Sequence, residues 1–146
     1  MIKLVIFDFD GVFTDGKITF NKNCEILKSY NVKDGTGIKL LYQNNIHVIV
    51  ISGYKYNKSQ SNILKYLEIE HYFNVHNKFD FLKEIISKLN IILEEVAYMG
   101  DDINDLDCLK QVKLSGAPFD AHKLCIENSN FVSNKYGGNG CVGDFC

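Results

Sequence analysis

Four short apolar runs, Ile2 to Phe7, His47 to Ile51, Tyr72 to Val75 and Val96 to Met99, are separated by stretches in which apolar residues recur at three and four positions. Each run is too short, and too rich in β-branched or aromatic residues, to be a helix of ordinary length, so each reads as a buried strand. The stretches between them, about Gly37 to Gln43, Lys58 to Leu67, Phe79 to Leu89 and Asp105 to Lys110, read as amphipathic helices. Phe79, Leu82, Ile86 and Leu89 illustrate the stripe. Short strands at Lys113 to Ser115 and Asn130 to Val132 extend the series.

Strand and helix in regular alternation imply right-handed crossovers, and these build a parallel sheet with helices on both faces. The expected fold is therefore α/β, a doubly wound, Rossmann-like sheet. At 146 residues the chain fits one domain, residues 1–146. Lys17 to Asn31 breaks the rhythm, because its two strand-like halves around Asn21-Lys22-Asn23 predict a β-hairpin inserted after the first strand. Ile18, Phe20 and Ile26 give that hairpin an apolar side suited to a partner subunit. "DGTG", Asp34 to Gly37, reads as a turn and close-packing segment. The glycine-rich tail Lys135 to Cys146 shows no period and is expected to be too flexible for the core.

Composition narrows the partners. The formal charge of −2 gives no reason to expect nucleic acid or an anionic membrane, and no apolar run approaches a membrane span. The N-terminus enters a strand pattern directly, without a basic-then-apolar leader, so the expectation is a cytoplasmic protein with a small-molecule partner. Five scattered cysteines without a CxxC pair read as reduced thiols, Cys141 and Cys146 being at most a weak metal pair. All 16 basic residues are lysines. Any bound anion must then be met by ammonium groups, backbone N–H groups and hydroxyls, never by a guanidinium fork.

The chemistry concentrates at strand ends. In a doubly wound sheet, ligands bind beyond the carboxyl ends of the strands. The first strand runs into Asp8 and Asp10, the second into Ser52 and Gly53, and the fourth into Gly100, Asp101 and Asp102, while Lys78 opens the helix after the third. Clustered carboxylates without His or Cys suit a hard cation, Mg²⁺ in particular, which takes one or two carboxylates plus waters and phosphate oxygens. With the metal bound, one ionised Asp can act as nucleophile toward phosphorus while a second, two residues on, moves the proton, and an extended strand points residues 8 and 10 to the same side, as this division of labour needs. Asp15 reads as a hinge of the hairpin.

The segments Asp8-x-Asp10-Gly11-Val12-x-Thr14-Asp15-Gly16, Ser52-Gly53, Lys78 and Gly100-Asp101-Asp102-x-Asn104-Asp105 together resemble the four motifs of the haloacid dehalogenase superfamily, in the same order. The likeness extends toward its phosphatases of 3-deoxy-D-manno-octulosonate 8-phosphate and of acylneuraminate 9-phosphates, through "NVKDGTGIKLL", "VAYMGDDIND", "DAH" (Asp120 to His122) and "GGNG". The resemblance implies an aspartyl-phosphate mechanism with Asp8 as nucleophile and Asp10 as general acid/base. Asp8, the carbonyl of Asp10 and Asp101 would ligate Mg²⁺, with Asp102 at or just behind them. It also implies that Ser52, Gly53 and Lys78 hold the phosphoryl group and that Asp105 positions Lys78. The intervals between motifs leave no room for a cap domain, and the resemblance implies a homotetramer that covers the open site. Tyr54 and Asn139 stand where such phosphatases typically carry arginine. Those losses, with the short tail, keep open a second class of reading, a non-catalytic regulatory or assembly module on the same fold, which aryl phosphate hydrolysis would separate from an enzyme.

Overall fold

The computed structural model describes all residues, 1–146. Its centre is a six-stranded parallel sheet ordered β5-β4-β1-β6-β7-β8. The strands are β1 (Leu4–Phe7), β4 (His47–Ile51), β5 (Glu70–Tyr72), β6 (Val96–Met99), β7 (Leu114–Ala117) and β8 (Phe131–Val132). Numbered among themselves, these strands run 3-2-1-4-5-6, the doubly wound order in which the chain reverses direction across the first strand. The crevice for a ligand therefore opens at the carboxyl end of β1, where Phe7 pairs with Val50 of β4 and Met99 of β6.

β1 is buried at all four positions, and alternation divides its side chains between two cores. Val5 and Phe7 join a cluster with Phe9, Phe13, Ile38 and Leu64, whereas Leu4 and Ile6 join Ile49, Leu82, Ile85 and Tyr98 on the other face. At about 1.5–3 kcal/mol for each large apolar side chain buried, this double burial fixes the strand that carries Asp8. The hairpin forms its own two-stranded antiparallel sheet, β2 (Thr19–Phe20) against β3 (Ile26–Leu27), immediately after β1. Asp15 holds its base, where Oδ1 accepts from Lys17 N at 3.0 Å.

The helices α1 (Val32–Gln43), α2 (Lys58–Tyr66) and α3 (Lys78–Leu89) each begin directly after an asparagine. Asn31, Asn57 and Asn77 accept from Lys33 N, Gln60 N and Asp80 N at 3.0–3.1 Å, filling orphan donors of the first turn. The Asn31 cap explains why α1 starts at Val32 instead of Gly37, so "DGTG" lies inside a helix and forms no turn. Its close-packing role holds: a Cβ on Gly37 would stand 2.8 Å from the Cα of Gly143. β5 ends at Tyr72 instead of running to Val75 because Asn74 adopts φ +60°, which turns the chain inward. Val75 N then donates to Ser52 O, bringing residues 75 and 76 to the mouth of the crevice. After α4 (Leu106–Gln111), the short α5 (Lys123–Glu127) was not visible as a periodic pattern; His122 caps it by accepting from Leu124 N.

The tail departs most from expectation. Instead of staying loose, it ends in α6 (Cys141–Phe145), with Cys141 and Val142 fully buried and the Phe145 ring edge-on to Phe7 at 6.1 Å. Gly138 N donates to Val12 O, and Gly143 N donates to Asp34 Oδ1 at 2.9 Å. The segment thus closes against its own chain behind the first motif. Asp34 is buried, its Oδ2 has no hydrogen-bond partner, and burial pushes its pKa up to about 6, the Gly143 amide and the Lys135 charge only partly offsetting this. A carboxyl with a raised folded-state pKa gives up stability as the pH rises through that value. Unfolding temperature should therefore fall between pH 5 and pH 7.5 in the wild type, and Asp34→Asn, which keeps the acceptor for Gly143, should flatten that dependence; equal slopes in the two proteins would contradict the assignment.

Candidate active site

At the carboxyl end of β1, Asp8, Asp10, Ser52, Gly53, Tyr54, Val75, His76, Asp101, Asp102 and Asn104 line one open cleft of about 400 Å³. Only Tyr54 and Val75 among them are apolar, as suits a charged, hydrated ligand better than a drug-like one. Of Asp8, Asp10, Ser52, Gly53, Lys78, Asp101 and Asp102, Lys78 alone does not line the cleft. Its Nζ lies directly beneath, fully buried, 2.6 Å from Asp8 Oδ1 and 2.7 Å from Asp105 Oδ1.

Asp105 organises this floor. Its Oδ1 also accepts the Tyr98 hydroxyl at 2.6 Å, while Oδ2 accepts the amides of Asp101 and Asp102 at 3.1 and 3.2 Å. Both oxygens are therefore saturated with donors, which makes Asp105 the anchor of Lys78 and of the acidic loop. Asp8, Asp101 and Asp105 offer carboxylate oxygens within 4.8 Å of one another, but saturation removes Asp105 as a ligand. Asp102 is exposed and turns its Oδ1 to Ile103 N at 2.7 Å, capping the following 3₁₀ turn.

Burial and the mutual repulsion of the carboxylates set the electrostatics of the cluster. Burial pushes Asp8 up to about 6, with Lys78 pulling it down and Asp105 adding to the rise. Burial pushes Asp101 up to about 9, reinforced by the charges of Asp8 and Asp105. Burial alone would lower the Lys78 pKa; Asp8 and Asp105 outweigh it and hold the ammonium charged. Asp101 Oδ1 is buried without any hydrogen-bond partner. An orphaned carboxylate oxygen beside a second buried carboxylate fits a hard divalent cation, and neither Cys141 nor Cys146 belongs to the group. Gly11 makes the crowding possible: at φ +86°, a Cβ there would stand 2.0 Å from Asp101 Oδ2.

Ser52 is buried at the end of β4, and its Oγ accepts from Tyr54 N at 3.2 Å, leaving the hydroxyl proton to donate. Two residues at the site escaped the sequence reading, His76 in the cleft lining and Lys28 paired with Asp10. His76 had no functional feature beyond lying two residues before Lys78, and Lys28 belonged to the hairpin. Lys28 reaches back from the end of β3 to pair with Asp10 Oδ1. His122, in contrast, does not line the cleft: its ring caps α5, and its backbone N donates to Asp101 O at 2.7 Å.

A phosphoryl-transfer class is what this fold and floor define, and the comparisons agree. Residues 19–143 match the haloacid dehalogenase-like hydrolase family. The chain belongs to that family and is a phosphatase. It is 38% identical over 145 residues to the 3-deoxy-D-manno-octulosonate 8-phosphate phosphatase of Salmonella typhi, covering 99% of this chain and 77% of that one. The Escherichia coli K12 counterpart is 39% identical with the same coverage. Among solved structures, the corresponding phosphatase of Moraxella catarrhalis, in complex with magnesium ion, phosphate ion and KDO, superposes with a TM-score of 0.94 at 30% identity, covering 99% of this chain and 83% of the other. The cobalt-bound Haemophilus influenzae enzyme gives 0.91 at 32% identity, covering 99% and 84%. No helix of the chain is long and apolar enough to cross a membrane.

Proposed function

We propose that the chain is a Mg²⁺-dependent phosphatase of a phosphorylated sugar acid, 3-deoxy-D-manno-octulosonate 8-phosphate, acting through an aspartyl-phosphate on Asp8. The observation that carries this reading is Asp8 itself, a buried carboxylate held by the Lys78 ammonium at the floor of a polar cleft. One Asp8 oxygen attacks phosphorus as the bond to the sugar oxygen breaks, and Asp10 gives that oxygen its proton. Water then attacks phosphorus, returns a proton to Asp10 and releases phosphate from Asp8. Ser52 Oγ–H and the Gly53 segment bind phosphoryl oxygens, and Lys78 offsets charge that develops on them. Asp8, the carbonyl of Asp10 and Asp101, with Asp102 beside them, would hold Mg²⁺, which when bound neutralises the acids and polarises the phosphoryl group.

The substrate assignment rests on the relatives' specificity and on the openness of the cleft. A screen of phosphorylated sugars and sugar acids, read as released phosphate, should give 3-deoxy-D-manno-octulosonate 8-phosphate the highest kcat/KM, above acylneuraminate 9-phosphates. Chelation should abolish turnover and added Mg²⁺ restore it. Aryl phosphates turned over better than every sugar acid would overturn the substrate, and metal-independent turnover the cofactor.

One sheet serves both cores, which supports residues 1–146 as a single capless domain. A cytoplasmic homotetramer completes the reading. Its support is the hairpin, whose Ile18, Phe20 and Leu27 are 44%, 62% and 49% exposed, more apolar surface than an isolated two-stranded sheet sustains. Light scattering at micromolar concentration should return four chains; a monomer would defeat it.

A further inference from the structure

One hairpin residue reaches back to Asp10. The Lys28 side chain is only 2% exposed, and its Nζ pairs with Asp10 Oδ1. The ammonium lies 5.2 Å from the centroid of the Tyr54 ring and 5.9 Å from that of Phe9, two aromatic faces that favour a cation there. Lys28 N donates to Ser59 Oγ at 2.8 Å, tying the end of β3 to α2 and fixing where the side chain starts. A lysine used only to anchor a hairpin would keep its charge in water, since a buried ammonium is costly unless paired.

The pairing is also one-sided. Asp10 Oδ1 takes both donors, Lys28 Nζ and the Thr14 hydroxyl at 3.3 Å, so Oδ2 stays free. Asp10 is a quarter exposed and lines the cleft, whereas Lys28 does not. We propose that Lys28 is the positioning residue for Asp10, clamping Oδ1 so that Oδ2 meets the oxygen that leaves with the sugar. This rests on the reading of Asp10 as the proton donor. When the sugar oxygen departs it takes the proton of Asp10, and the carboxylate left behind stays fixed by the ammonium until water returns a proton to it.

The test uses the leaving group. The ratio kcat/KM reports steps up to its departure; a sugar alkoxide needs a proton there and nitrophenolate does not. Lys28→Met should lower kcat/KM on the sugar-acid phosphate by about tenfold more than on nitrophenyl phosphate, and Lys28→Arg should recover part of that difference. In an Asp10→Asn background, Lys28→Met should add less than about threefold on the sugar substrate, because coupled residues do not lose twice. Should Lys28→Met fail to fold, Lys28→Gln carries the same comparisons. Equal losses on the two substrates, or an undiminished further loss beside Asp10→Asn, would show a merely structural lysine and overturn the proposal. A wild type that hydrolyses neither substrate overturns the reading of the site and this proposal with it. A wild type active on both, with Lys28 variants reduced equally, overturns the Lys28 assignment alone.

Discussion

Asp8→Asn should lose about 10⁴-fold or more in phosphate release while remaining folded. The amide is isosteric, so the hydrogen bond from Lys78 Nζ to Oδ1 has an acceptor still, but it cannot attack phosphorus. Stability without metal should not fall and should rise slightly. Asp8 is one of the charges that hold Asp101 so far above the ordinary carboxylate range, and removing it relieves that repulsion. Released phosphate and thermal unfolding, measured on one preparation, check both halves. Turnover within tenfold of wild type would mean that another group is the nucleophile.

Lys78→Met should produce the largest loss of stability. It leaves Asp105, which is wholly buried, and Asp8, nearly so, without their cation, at a cost of about 3–5 kcal/mol. For a chain of this length that is roughly a 10 °C fall in unfolding temperature. Adding Asp105→Asn should recover part of the loss, since it removes the uncompensated charge while leaving a side chain for Tyr98 and the acidic loop to contact. A fall of less than about 1 kcal/mol in the single variant would show that water reaches this floor, and the argument from burial would fail.

These two residues differ in how far the sequence alone revealed them. Asp8 follows four fully buried apolar residues, and such a run reads plainly because a central parallel strand has no solvent face. The bounds of β4 and β6 coincide with their apolar runs for the same reason. Lys78 was legible only through its place among the motifs, since a lysine opening a helix is ordinarily solvated. The relation of Asp105 to Lys78, expected from the resemblance, appears as a 2.7 Å contact.

Other features were hidden for identifiable reasons. The start of α1 at Val32, ahead of the expected Gly37, depends on the Asn31 cap, which is local and leaves no periodic trace. The tail carries four glycines in twelve residues, a loop signature, yet the absence of side chains is what lets it pack: Gly143 lies against the backbone of Lys33, and Gly37 faces it across the contact. Lys28 is 18 positions from Asp10 in a segment that reads as a surface hairpin, and only the fold of that hairpin over Tyr54 joins them. Pairing across such a distance leaves no pattern in one sequence.

The proposed reaction requires Asp8 to carry the phosphoryl group during turnover. The most direct measurement is acid quench of the enzyme in the first turnover with Mg²⁺ and the sugar-acid phosphate, followed by proteolysis and mass analysis of the peptide that contains Asp8. That peptide should gain the mass of one phosphoryl group, assigned to Asp8 by fragmentation and absent from Asp8→Asn. An unmodified Asp8 peptide during active turnover, with the phosphoryl group found on Asp10, on Ser52 or on no residue, would contradict it.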